Sequence, residues 1–409
     1  MNRIRNFLAK EKSHFSRLDG EAQKLFFSIA LFSIISPIFS MFINAFIWRQ
    51  SQEFMLVSFY NILVFAGVPL GFYINGLLLR KFAPNILYFA GLLIGGIVIT
   101  ILIYLPFLTY ASVGVFGFIH GLSAGLYWAN RNLLTLKTTT SDNRIYFSGL
   151  ESILSTYSKI IIPFIIGWFI VLGSSANLYS EITGYKIVAV IMLLVVAITG
   201  ILMMTFTIKT IPYRQLLLQN VRSSWQKFRL LQVILGFLQA VATLLPTLMV
   251  LSLLGKEDTL GTIQALASVL TAFVVYILAK KLKVKHRLLL LQISFLVGLI
   301  GAVTFSIFYS GIGVIIFYAC QAISIPFLWI ATSSLNYDLI DEDKDEKTHY
   351  AYITDQELYL NAGRISAIIV FIILIQLFSN NIALRFTPLI FAISQIFLSM
   401  LATSIEKKG

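Results

Sequence analysis

Apolar residues in this chain come in long unbroken runs, separated by short stretches rich in Arg, Lys, Asp, Gly and Pro. The runs do not alternate with polar residues in short segments, as the strands of a membrane β-barrel do. Most approach or exceed the ~20 residues that carry a helix across a bilayer. Twelve spans fit, near residues 25–47, 54–79, 86–105, 109–136, 145–172, 186–208, 229–254, 259–279, 288–309, 312–336, 351–378 and 386–404. The pattern predicts an all-α polytopic membrane protein with short connections. The one long connection, residues 209–228, mixes Lys209, Arg214, Arg222 and Lys227 with Leu216–Leu218 and Trp225, a pattern suited to an interfacial helix.

Composition agrees: of 409 residues, 58% are hydrophobic and only 12% charged, with a mean hydropathy of +0.86. The net charge of +13 would point to nucleic acid in a soluble protein. In a membrane protein it reflects Lys and Arg gathered in cytoplasmic loops, so no nucleic-acid partner is expected. Only Arg49, Lys186, Lys256 and Arg385 fall on the side opposite the termini. Both termini are therefore expected in the cytoplasm, in a bacterial inner membrane. Residues 1–24 read as a basic segment lying on anionic headgroups. The single Cys320 permits neither an intrachain disulfide nor a Cys-based metal cluster.

The second part of the chain echoes the first. Tyr73-Ile74 closes span 2 as Tyr276-Ile277 closes span 8, Trp128 in span 4 matches Trp329 in span 10, and Glu151 matches Glu357, each pair half a chain apart. The pattern is that of a tandem repeat of six spans. Two pseudo-symmetric six-helix bundles follow, residues 25–208 and 229–409, joined by the 209–228 linker.

Twelve spans in two related halves, with a long basic central loop, resemble the major facilitator superfamily. After span 2 the superfamily has a glycine, an acid four residues on, and closing basic residues. Here Gly71, Arg80 and Lys81 hold the first and last of these places, and Asn75 stands where the acid would be. Between spans 4 and 5, Arg144 followed by Gly149 resembles the family's Arg and Gly. Span 4 has Gly117 and Gly121, with His120, where many members have an Arg four residues before a Gly. Span 5 has Pro163 and Gly167 without the Gly-Pro pair of drug–proton antiporters. The resemblance implies alternating access around one central site, with spans 1, 4, 7 and 10 lining it.

Charges inside the spans are the candidate chemistry, because a charge at the bilayer centre costs about 2.5–3.5 kcal/mol on insertion scales. Lys159 and Arg364 both lie near mid-span, on spans 5 and 11, and suit an anionic group. Glu151 and Arg131 sit at similar depth on adjacent spans, as an ion pair or a gate. Glu357 has no cation in the neighbouring part of span 10, and Arg364 is ~10 Å further along its own helix. A buried carboxylate without a partner can take up and release a proton, so Glu357, with Glu151, is the proton-coupling candidate. His120, Gln321, Asn361 and Trp329 are further substrate-contact candidates, and Asn44, Asn61, Asn130, Gln239 and Gln264 are polar positions that can also bridge helices. The acidic stretch 338–349 lacks the glycine and closing glutamate of a calcium loop.

No nucleotide-binding loop, His-Glu-x-x-His or Cys/His metal spacing occurs, so no enzyme, cofactor or metal is expected. The leading expectation is a monomeric secondary transporter for a small anionic or zwitterionic solute, coupled to protons. An exporter of amphipathic drugs or lipids, and a transporter-like receptor or assembly partner without flux, are the alternatives.

Overall fold

A computed structural model describes Phe15 and residues 18–208, 216–218, 221–281, 287–341 and 349–406. Most of the basic N-terminal segment, much of the central linker and the charged loops at 282–286 and 342–348 lie outside these residues. The described chain forms twelve long helices: α1 (Gly20–Ser51), α2 (Phe54–Leu78), α3 (Pro84–Tyr104), α4 (Tyr110–Thr138), α5 (Ser141–Ser175), α6 (Glu181–Met204), α7 (Ser223–Leu253), α8 (Glu257–Lys281), α9 (Arg287–Ile307), α10 (Gly311–Asp341), α11 (His349–Leu377) and α12 (Asn380–Glu406). Side-chain caps set several starts. Thr109 and Ser112 form a capping box on α4, and Ser180 accepts from the Thr183 amide on α6. In α1, a π-helical turn at Ile38–Phe42 follows Pro37, whose ring removes a ladder donor.

Eleven of the helices are long and apolar enough to cross a membrane; twelve spans were expected. The exception is α4, whose composition explains it: His120, Asn130, Arg131, Asn132 and Lys137 dilute its apolar run. It is nonetheless deeply packed. Gly117, Gly121 and Gly125, at four-residue spacing, face Gly67 and Gly71 of α2 so closely that a Cβ on Gly121 would collide with the Val64 carbonyl, and one on Gly125 with that of Val68. In lipid, where apolar surface gains nothing by leaving the solvent, such small-residue contacts supply the van der Waals packing that holds helices together.

The helix pairings repeat along the chain. The pairs α2–α4, α3–α4, α3–α6, α1–α5 and α1–α6 recur six helices later as α8–α10, α9–α10, α9–α12, α7–α11 and α7–α12. Two further seams, α2–α11 and α5–α8, cross between the two sets. Helix α7 begins at Ser223, earlier than expected, so Trp225, Lys227 and Arg229 belong to it rather than to an interfacial linker helix. Its first turns are drawn onto α11 because Asp355 accepts from Trp225 Nε1 (2.7 Å) and from Arg229 Nε (2.8 Å). Leu216 of the linker is buried against Gly76 and sits in one cluster with Leu79 and Tyr350.

Candidate functional site

Helix α5 carries the first half of the site. Ser148, Ser152, Ser155, Lys159, Pro163, Ile166 and Ile170 follow one another at three- and four-residue steps and so share one face. Toward the helix C-terminus this face is closed: Pro163, Ile166 and Ile170 are buried, a Cβ on Gly261 of α8 would strike the Pro163 carbonyl, and one on Gly167 would strike that of Glu257. Toward the N-terminus of α5 the same face opens, with Ser148, Ser152 and Lys159 exposed. Lys159 stands where the closed part ends. Its ammonium makes no hydrogen bond or ion pair among the described residues, and an unpaired charge at that depth needs water or an anion.

Arg364 is placed quite differently. Its guanidinium donates to Gln239 Oε1 of α7 (2.9 Å from Nε) and to Asn361 Oδ1 (2.8 Å), and lies over the Phe65 ring of α2 at 5.3 Å. It also approaches Glu357, at 4.0 Å. The expectation that Glu357 lacks a cation is therefore corrected. Residues 357, 361 and 364 lie on one helical face, and although Cα positions seven apart are ~10 Å apart along the axis, the long Arg side chain folds back across two turns. Asn361 bridges the two, donating to Glu357 Oε2 (3.2 Å) while accepting from Arg364. The result is a Glu357–Asn361–Arg364–Gln239 unit spanning α11 and α7.

The remaining predicted residues divide. Arg131 and Glu151 are brought together as an ion pair between α4 and α5, with Trp128 beside the guanidinium. His120 is enclosed: its Nδ1 meets the Tyr60 hydroxyl at 2.8 Å and its ring lies against Phe39. Gln321 is buried, yet neither amide atom has a hydrogen-bond partner among the described residues, a state that costs about 1–3 kcal/mol per group unless a ligand or water fills it. Trp329 is half-exposed on α10. Lys159, Gln321 and the Arg364 unit share no direct contact. Asn75 accepts from Asn130 Nδ2 and donates to the Tyr350 hydroxyl (3.1 Å), which donates to the Phe72 carbonyl (2.9 Å). A neutral chain of hydrogen bonds thus joins α4, α2 and α11 in place of the acid's charge. Gly71 packs against Leu122 and Gly125, and Arg80 and Lys81 are exposed just beyond α2.

Sequence reasoning missed a second network. At the end of the molecule away from the chain termini, fully buried Glu257 of α8 accepts from Arg49 of α1 (2.9 and 2.6 Å) and from the Tyr185 hydroxyl of α6 (3.0 Å), while Arg49 also approaches Glu181 at 3.4 Å. The signal was available: Arg49 is one of only four basic residues assigned to that side.

These helices, their glycine seams and the charged network between them define an integral membrane protein with the fold of the major facilitator transporters. Solved structures of that kind superpose along nearly the whole chain. A mutant form of the nucleoside transporter NupG matches at TM-score 0.67 with 12% identity, covering 95% of this chain and 100% of its own. The human organic anion transporter MFSD10 (TETRAN) matches at TM-score 0.60 with 11% identity, covering 93% and 97%. A bacterial metal transporter matches at TM-score 0.62 with 11% identity, covering 95% and 99%. In sequence, the chain is 26% identical over 396 residues to the uncharacterized protein YqgE of Bacillus subtilis (strain 168), covering 93% of this chain and 89% of that protein. No protein-family model matches the chain.

Proposed function

We propose that the chain is a secondary transporter in which twelve spanning helices form two six-helix halves, residues 25–208 and 229–409, that rock about a central site. The site takes a small anionic or zwitterionic solute. One observation carries this reading: Lys159 is a cation with no partner among the described residues, on a polar, exposed stripe of α5, at the level where the α5–α8 seam closes. A cation left free in the low-dielectric interior is a standing attraction for an anion, and the unsatisfied Gln321 amide offers a neutral contact. The α5 stripe opens toward the end that holds the termini. The positive-inside rule makes that end cytoplasmic, so the α5–α8 seam opens toward the cytoplasm while α2 and α11 still meet there through Asn75 and Tyr350. The Glu357–Asn361–Arg364 unit is the proton-coupling element: protonating Glu357 removes the carboxylate from Arg364 and frees the guanidinium for substrate.

The test is a thermal-shift screen of small anions and amino acids on purified protein, repeated on Lys159→Gln and Arg364→Gln. A solute that stabilises wild type should lose most of its shift in Lys159→Gln. Equal stabilisation of wild type and both variants refutes the anion site. In proteoliposomes, Glu357→Gln should abolish accumulation driven by a proton gradient while preserving exchange, and unchanged accumulation removes Glu357 from the mechanism.

A further inference from the structure

A second site lies on the outer side of the bundle, apart from the α5 stripe. Between α2 and α11 runs a crevice of about 370 Å³, lined by Phe65, Ala66, Leu70, Tyr73, Leu358 and Ala362 and flanked by Leu217 of the linker. Its walls are almost wholly apolar, and Leu70, Tyr73, Leu358 and Ala362 are exposed. On α2 the crevice residues lie on a different face from Gly67 and Gly71, which pack on α4. The groove is thus an exposed apolar opening on a face of α2 other than the one that packs on α4, in the half of the helix nearest the termini, and lipid hydrocarbon is the solvent that suits it.

Past the end of α2, about two turns of helix from Tyr73, stand Arg80 and Lys81. Both are exposed, and neither has an ion-pair partner among the described residues. Hydrocarbon depth and headgroup depth are thus supplied side by side: an apolar slot, and above it two free cations. A membrane anion is attracted by roughly one Lys or Arg interaction per basic residue near the surface.

We propose that this crevice binds one acyl chain of an anionic phospholipid from the leaflet nearest the termini, with its phosphate held by Arg80 and Lys81. The lipid lies against the seam where Asn75 meets Tyr350 and where Leu216 fills the space over Gly76. It is a bound component of the outer surface and not the transported solute, although Phe65 and Asn361 border both the crevice and the Arg364 unit.

The experiment is native mass spectrometry of the detergent-purified protein titrated with phosphatidylglycerol or phosphatidylcholine of identical chains, and with glycerol phosphate alone. Wild type should retain one phosphatidylglycerol in preference to phosphatidylcholine, and glycerol phosphate should not bind. Arg80→Gln with Lys81→Gln should weaken phosphatidylglycerol by about tenfold to thirtyfold, down to the phosphatidylcholine level. Ala362→Phe, an exposed position that fills the slot, should abolish the bound lipid, with the melting temperature reporting that the variant is folded. Equal retention of the two lipids by wild type overturns the proposal, as does undiminished retention by folded Ala362→Phe. A crevice occupied by a second copy of the chain also overturns it, and shows as a dimer in light scattering that Ala362→Phe dissolves.

Discussion

Glu257→Gln is the sharpest test of the seal at the end away from the termini. Glu257 is completely buried and accepts from both Arg49 and Tyr185, so it ties α8 to α1 and α6. Removing one partner of a buried ion pair costs about 3–5 kcal/mol. The loss here is smaller, about 2 kcal/mol, because Arg49 remains 25% exposed and keeps Glu181 at 3.4 Å. On the proposed alternating-access reading that energy belongs to the closed state alone, so the variant should shift the balance toward opening at that end by roughly thirtyfold. An open population of about 1% would rise to about a quarter. Spin labels at Ala176 and Ile312, exposed beside that end on the two proposed halves, with Cys320 replaced by Ser, report it as a second, longer distance in pulsed electron resonance. Arg49→Gln combined with Glu257→Gln should be milder than the sum of the single changes, since neither charge is then buried alone. An unchanged distance distribution in folded Glu257→Gln would falsify the seal.

Two further substitutions probe the seams. Gly121→Ala places a Cβ against the Val64 carbonyl, where α2 and α4 meet backbone to backbone. It should destabilise by at least about 1–3 kcal/mol, seen as a lowered melting temperature in detergent, whereas Gly149→Ala, with open space around it, should leave the melt unchanged. Tyr350→Phe removes the hydroxyl that accepts from Asn75 and donates to the Phe72 carbonyl. At about 1 kcal/mol per hydrogen bond, it should lower the melting temperature in detergent, and an unchanged melt would count against these bonds holding α2 to α11.

Much of the fold was legible because its rules are one-dimensional. Apolar run length places helices, and all twelve appear near the expected positions. The pairing of Arg131 with Glu151 was legible too, since both charges sit at one depth on consecutive helices. Side-chain reach was not. Spacing along α11 put Glu357 and Arg364 too far apart, yet a long guanidinium on the same face crosses two turns with Asn361 as its bridge. Nor could hydropathy show that Arg49 and Glu257 meet, because that contact depends on how α1 and α8 converge at one end of the bundle. His120 is the converse case. In the sequence a lone histidine leaves a packing role and a substrate contact equally open, and only the structure shows Tyr60 and Phe39 around it.

The seams differ in kind, and the difference bears on which of them would move under the proposed mechanism. Within each proposed half, α2 meets α4 and α7 meets α11 through glycines: Gly121 and Gly125 against Val64 and Val68, Gly236 against Leu360, and Gly363 against Val233. Such contacts are short-ranged and apolar, and opening them leaves a void that lipid must fill. They suit parts that move as one body. Between the halves, α5 and α8 also touch through glycines, at Gly167 and Gly261, but only in the part of the seam next to Glu257 and Arg49. That glycine contact ends in a charged cluster at the edge of the apolar zone, where water can take over each hydrogen bond as it breaks. A low, smooth crossing capped by an exchangeable ion pair is a seam that can open and reclose. Lys159, unpaired among the described residues, lies immediately past that crossing, so under the proposed mechanism a solute bound to it would sit where closing one end and opening the other changes its access to water.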